Sequence, residues 1–163
     1  MASAILDIQC VLAINNKYLI KELTVIDVNS SAVQHWIFKT PPEMQNARSR
    51  SVNKWLFRNY HQLSIECGDV EYEELERILQ SLKYSCIYVK GEQKTKIIKN
   101  YITDVEVIDL QQLGCPRLNQ LCSTKITPSL SASTCCMYHK NLNYMHCTFY
   151  RVFFLKQWFV NNS

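Results

Sequence analysis

The sequence predicts an α/β domain, and three observations carry the prediction. Three extended segments rich in β-branched and aromatic residues come first; a strand, helix, strand succession follows; and the closing segment is apolar with helical spacing. At 163 residues the chain has room for one substantial core. A hydrophobic content of 47% with only three glycines and four prolines gives it the composition to fill that core, which a disordered or collagenous chain lacks.

The extended segments are Ala4 to Leu12, Leu19 to Val28 and Ala32 to Phe38. Asn15-Asn16 and Asn29-Ser30-Ser31 lie between them as turn signals, so the three read as a meander of adjacent antiparallel strands. The first segment has no basic region ahead of it and carries Asp7, so it reads as a strand, since a signal peptide or membrane span needs a longer uncharged run. Thr40-Pro41-Pro42 ends the sheet pattern and a polar, loop-like stretch containing Arg48 and Arg50 follows. From Val52, the residues Trp55, Leu56 and Tyr60 recur at helical spacing. After Cys67-Gly68-Asp69 a second helix is expected, with Tyr72, Leu75, Leu79 and Leu82 on one side. Asp69 is its expected cap, and Glu71, Glu73 and Glu74 suit the positive end of its dipole.

Cys86 to Val89 reads as a buried strand ended by Lys90-Gly91. A basic helix with Ile97, Ile98 and Tyr101 follows, then a strand at Val105 to Ile108. A strand, a crossover helix and a strand imply parallel pairing of the two strands. Gln111 to Leu121 is expected to be helical with Leu113, Leu118 and Leu121 inward, and residues 123–134 form a polar loop. The closing segment from about Met145 to Phe159 offers Phe149, Val152, Phe153 and Trp158 to cover one face of the sheet.

The net charge of +4 is compatible with nucleic-acid binding without requiring it. Arg48 and Arg50 belong either to a solvated linker or to a phosphate-contacting patch. Lys90, Lys94, Lys96 and Lys99 form the densest basic cluster, which reads either as a solvated helix face or as a contact for a phosphate backbone. The eight cysteines are not needed as a disulfide scaffold in a chain this long and apolar; Cys10 and Cys86 lie in strand-like runs and read as small core residues. The expected setting is therefore intracellular, cytoplasmic or nuclear, with no membrane partner. Gly91 alone supplies no phosphate-binding loop. Cys147 beside His146 is no nucleophile and base pair, because no orienting acid is evident.

Three antiparallel strands feeding a helix and then a βαβ unit resemble the RNase H-like fold as used by DnaQ-type 3′–5′ exonucleases. Leu6-Asp7-Ile8-Gln9 is similar to that family's first acidic strand, Ile20-Lys21-Glu22-Leu23 to its second strand, and Ile87-Tyr88-Val89-Lys90-Gly91 to the strand leading to its middle acidic motif. The resemblance implies four carboxylates holding two divalent metals beside a scissile phosphate. Here Asp7 remains, but Gln9 stands for the paired glutamate, Lys94 lies where an aspartate is expected, and Arg151 follows His146 in place of the closing aspartate. Amides and cations do not substitute for the oxyanion ligands magnesium requires. Asp104, Glu106 and Asp109 are the carboxylates from which another set can be drawn.

A narrower resemblance is to the Maelstrom domain, a branch of the same fold without the usual nuclease carboxylates. Lys21-Glu22-Leu23 through Val33-Gln34-His35-Trp36-Ile37-Phe38 is similar to its glutamate-bearing strand and hairpin; Cys136-Met137-Tyr138-His139 and Cys147 are similar to the rest of its Glu-Cys-His-Cys metal pattern. This implies a single domain over 1–163 with a zinc-binding helical segment at its C-terminal end. It also implies binding of single-stranded RNA and a place, with silencing proteins, in RNA silencing or transposon control.

The residues themselves support part of that ligand set. Cys136 and His139 have the spacing that aims a thiolate and an imidazole at one ion, and Cys147 near the start of the closing helix can approach the same point. The fourth ligand is Glu22 by the resemblance, with Cys115 and His146 as alternatives. Two thiolates and an imidazole favour zinc over magnesium, and a full shell makes the ion structural. Bound RNA is expected at Arg48, Arg50, Lys90, Lys94, Lys96 and Lys99, with Trp36 or Tyr60 stacking on bases. The alternative functions are a protein-interaction scaffold and a divergent RNA nuclease.

Overall fold

The computed structural model describes residues 2–122 and 147–163. Its five strands are β1 (Ser3–Leu12), β2 (Tyr18–Asp27), β3 (Val33–Ile37), β4 (Cys86–Val89) and β5 (Glu106–Asp109). Its helices are α1 (Ala47–Asn59), α2 (Glu74–Gln80), α3 (Glu92–Lys99), α4 (Leu118–Cys122) and α5 (Thr148–Asn162). The strands form one mixed sheet in the order β3-β2-β1-β4-β5. β1 pairs antiparallel with β2 and β2 with β3, whereas β4 is parallel to β1 and to β5. This is the α/β arrangement that the RNase H-like resemblance implies. Asn15 and Asn16 turn the first hairpin in the left-handed region, with φ of 60° and 57°, a conformation asparagine tolerates better than most residues.

β1 lies in the middle of the sheet and is covered on both sides, which explains its nearly unbroken apolar run. On one face Leu6, Ile8, Leu23 and Val25 pack with Leu75, Ile78 and Leu79 of α2 and Ile98 of α3. On the other, Ile5 and Ile26 pack with Val152, Phe154 and Leu155 of α5. Each such aliphatic side chain stabilises the fold by roughly 1.5–3 kcal/mol when fully buried. Phe153 and Trp158 close the second core as expected of the closing helix. Gly68, at φ 142°, lets the chain lie against Phe38 and Lys39, where a Cβ would stand 2.7 Å from the Lys39 nitrogen. Among the described residues no helix is long and apolar enough to cross a membrane.

Three expectations are corrected. α1 begins at Ala47, earlier than Val52, because Asn46 and Ser49 form a reciprocal capping box with both bonds at 2.8 Å. Arg48 and Arg50 therefore ride on a helix and not in a loop. Asp69 does not cap α2; its backbone N–H donates to the Ile37 carbonyl at 3.1 Å, fastening the turn to the sheet edge. The helix expected over Gln111 to Leu121 is broken: a 3-10 turn over Leu110–Leu113 ends at Gly114 in the left-handed region at φ 89°, and α4 starts after Pro116. Leu113 is consequently exposed, while Leu121 is buried as expected. The polar loop, Cys136, His139 and His146 lie outside the described residues.

Candidate functional site

The sheet face beneath α5 is not wholly apolar. Strand alternation puts Asp7 and Gln9 of β1 on the same face as Ile5, and their cross-strand partners are Thr24 and Glu22. His35 of β3 is the partner of Thr24, which adds an imidazole to the same layer. The first turn of α5 closes over it: the hydroxyls of Thr24 and Thr148 are 2.6 Å apart. Asp7, Gln9, Glu22, Thr24, Thr148 and Arg151 are all buried. Buried polar groups at this density must find partners within the layer.

At one end, Asp7 accepts a hydrogen bond from the Lys94 ammonium at 2.8 Å. Arg151 of α5 brings its Nη1 to 3.7 Å from the second carboxylate oxygen, close enough for an ion pair though not for a hydrogen bond. Lys94 is 22% exposed and Asp7 only 2%, so the pair sits where solvent screens little. A divalent cation at Asp7 would have to displace that ammonium and tolerate Arg151. Asp109 is used otherwise: it accepts from the backbone N–H of Gly91 at 2.8 Å and of Gln111 at 2.9 Å. Asp104 and Glu106 are exposed. Among the described residues, none of the three joins Asp7 in a group of three metal-ligating side chains.

At the other end, Glu22 is enclosed by groups of a different kind. The His35 ring donates from Nε2 to Glu22 Oε2 at 2.7 Å, the Cys147 thiol donates to the same oxygen at 3.5 Å, and the Thr148 backbone N–H donates to Oε1 at 3.1 Å. Cys147 is the N-cap position of α5, so the helix itself carries the sulfur to the sheet. Carboxylate, imidazole and thiol present one ligand atom each within 4.8 Å of one another, the one such group among the described residues. Zinc bonds of about 2.0–2.3 Å in a tetrahedron hold ligand atoms roughly 3.3–3.8 Å apart. The donor set fits that ion after the Glu22–His35 contact opens by less than about 1 Å.

Of the expected ligands, Glu22 and Cys147 are therefore brought together, and Cys136 and His139 lie outside the described residues. The alternative Cys115 is elsewhere, buried in the core beneath α5 with its thiol on the Pro116 carbonyl at 3.6 Å and its pKa pushed up to about 11 by burial. His35 is the member of this cluster that sequence reasoning missed. Its signal was the register: a histidine opposite Thr24 on the third strand shares a face with Glu22.

The expected nucleic-acid contacts separate. Arg48 and Arg50 are exposed on α1, and Lys96 and Lys99 on α3, where Lys96 pairs with Glu92 at 3.0 Å. Lys90 is half-buried, and Lys94 is committed to Asp7. Trp36 is no stacking platform, because it packs against the core on the α2 and α3 side. Tyr60 is exposed and, with Tyr18, Gln9 and Lys94, lines a cleft of about 210 Å³ between α1 and α3. Beside it Cys10 has its pKa pushed up to about 12 by burial, opposed in part by the Lys94 charge.

No family model matches the sequence, and no curated protein matches it. Among solved structures, the chain is similar to the crystal structure of a full-length 3′-exonuclease at 12% identity and a TM-score of 0.37, over 61% of this chain and 50% of that one. The match thus spans half the length of that exonuclease.

Proposed function

We propose that this protein binds single-stranded nucleic acid, RNA by preference, and holds it without two-metal hydrolysis at Asp7. The observation that carries the reading is the buried Asp7–Lys94 ion pair at 2.8 Å, with Arg151 behind it: the position for a catalytic cation already holds a fixed one. Arg48 and Arg50 on α1, Lys96 and Lys99 on α3, and Lys90 supply positive charge for phosphates. The same reading makes 1–163 one domain of the Maelstrom kind, working in the cytoplasm or nucleus in RNA silencing or transposon control. It gives the chain a structural zinc held by Glu22, Cys147, Cys136 and His139, with His35 hydrogen-bonded to the glutamate ligand.

Fluorescence anisotropy with a short labelled single-stranded RNA, at several salt concentrations and with or without magnesium, tests the reading. Saturable binding that weakens steeply with salt is expected, with the RNA recovered at full length. Absence of saturable binding at low salt overturns it, and shortening of the RNA that Asp7→Asn abolishes overturns its non-catalytic part.

A further inference from the structure

Helix α1 is built the wrong way round for an ordinary packed helix. The residues it buries are polar: Ser49, and Asn53, whose side chain is spent on the end of β1, accepting from the Leu12 N–H at 2.7 Å and donating to the Leu12 carbonyl at 2.9 Å. Its two aromatic residues face solvent instead, with Trp55 at 59% and Phe57 at 39% exposure, while Val52 and Leu56 are half-buried. Tyr60, just past its end, is exposed as well. A pair of hydrogen bonds to backbone fixes the helix, so its aromatics are not needed to hold it in place. They are presented.

The charges on the same helix select what they are presented to. α1 carries Arg48, Arg50, Lys54 and Arg58 and no acidic residue. At about 100° per residue, Trp55 lies near Arg48 and Arg58, while Phe57, about 160° away around the axis, lies near Arg50 and Lys54. Aromatics and cations are therefore interleaved and not segregated into an apolar and a polar half. A membrane-surface helix needs that segregation, so that one face enters the lipid. Interleaving suits a polymer in which flat apolar rings alternate with anionic groups. On one flank, Tyr60 and Tyr18 continue the surface into the cleft that Lys94 lines. On the other, Phe57, Arg50 and Lys54 line a second depression of about 240 Å³.

From this we infer that α1 is the base-stacking surface for a single-stranded nucleic acid, with Trp55 and Phe57 as platforms and Arg48, Arg50, Lys54 and Arg58 on the intervening phosphates. The inference rests on the nucleic-acid reading above and deepens it, assigning the contact to one helix and to stacking, which is tolerant of sequence.

The test compares oligouridylate with an abasic ribose-phosphate strand of the same length, using the wild-type protein, Trp55→Ala, Phe57→Ala and Arg48→Ala. Oligouridylate should bind more tightly than the abasic strand and quench tryptophan fluorescence, and the quenching should vanish in Trp55→Ala. Each aromatic substitution should weaken oligouridylate binding by roughly tenfold without changing its salt dependence, as expected for one stacked base. Arg48→Ala should lower the salt slope by about one. Thermal melting of Trp55→Ala should match wild type because the side chain is exposed, which separates lost contact from lost fold. Wild-type binding that is equal for both strands and unaffected at Trp55 and Phe57 overturns the stacking surface and leaves the nucleic-acid reading standing. Absence of binding to either strand overturns both. Binding of wild-type protein to phosphatidylserine vesicles with a blue-shifted Trp55 emission, and not to oligouridylate, assigns the helix to a membrane surface instead.

Discussion

Asp7 and Glu22 are buried carboxylates on neighbouring strands of one sheet, under the same helix, and they are neutralised in opposite ways. Asp7 faces a lysine and an arginine, both fixed positive charges. Glu22 faces an imidazole, a thiol and a backbone N–H, two of which ligate soft metals. A carboxylate in a low-dielectric layer must be compensated, and the identity of the compensating group decides whether the site is closed to cations or suited to one. Of the two ends of this layer, the Glu22 end alone groups three metal-ligating side chains among the described residues.

The largest expected effect comes from Glu22→Ala. It strips hydrogen bonds from His35, Cys147 and the Thr148 N–H in a fully buried position, and should destabilise the protein by roughly 3–5 kcal/mol in urea denaturation. If zinc binds here, a chelator should lower the melting temperature of wild type and leave Glu22→Ala unmoved; equal sensitivity would break the contrast between the two ends.

At the Asp7 end the effect is smaller and should be reversible by a second change. Lys94→Met leaves the carboxylate with only the distant Arg151 and should destabilise by about 2–4 kcal/mol. Adding Asp7→Asn should return much of that loss, because the uncompensated charge is gone. Losses from the two single substitutions that simply add would mean the pair is not coupled.

A still smaller effect belongs to Cys10, which shares the cleft with Lys94. Burial pushes its thiol up from the ordinary 9.0 to about 12, so the folded state keeps a proton that the unfolded chain releases. The contribution is present below pH 9 and is lost as pH rises toward 12, the loss being on the order of 1 kcal/mol by pH 10. Cys10→Ala should flatten the alkaline limb of a stability profile by about that amount; an unchanged limb would place the titration elsewhere.

How much of this was legible beforehand varied with the physics involved. The antiparallel pairing of β1 to β3 and the parallel pairing of β4 with β5 followed from local signals: alternating β-branched residues, asparagine turns, and a helix between two short apolar strands; the seat of β4 beside β1 is a long-range pairing that no local signal gives. Glu22 and Cys147 emerged from a resemblance in spacing. The Lys94–Asp7 pair joins residues far apart in the chain, and only the loss of an expected aspartate hinted at it. His35 was quoted within a strand motif yet not as a ligand, because register across two strand pairings decides its face. The presentation of α1 was not legible for a related reason: the helical spacing of Trp55, Leu56 and Tyr60 leaves open which side faces the sheet, and the hydrogen bonds of Asn53 decide it.

The contrast between the two carboxylates is tested most directly by asking whether a metal binds at Glu22 and not at Asp7. Crystals grown from protein purified without added zinc, then soaked in manganese, allow both to be read from anomalous-difference maps at the zinc and manganese edges. A zinc peak about 2.0–2.3 Å from Glu22 and Cys147 ligand atoms is expected, with no manganese at the Asp7 carboxylate. Manganese bound to Asp7 with Lys94 displaced, or a Glu22 site without zinc, would contradict that expectation.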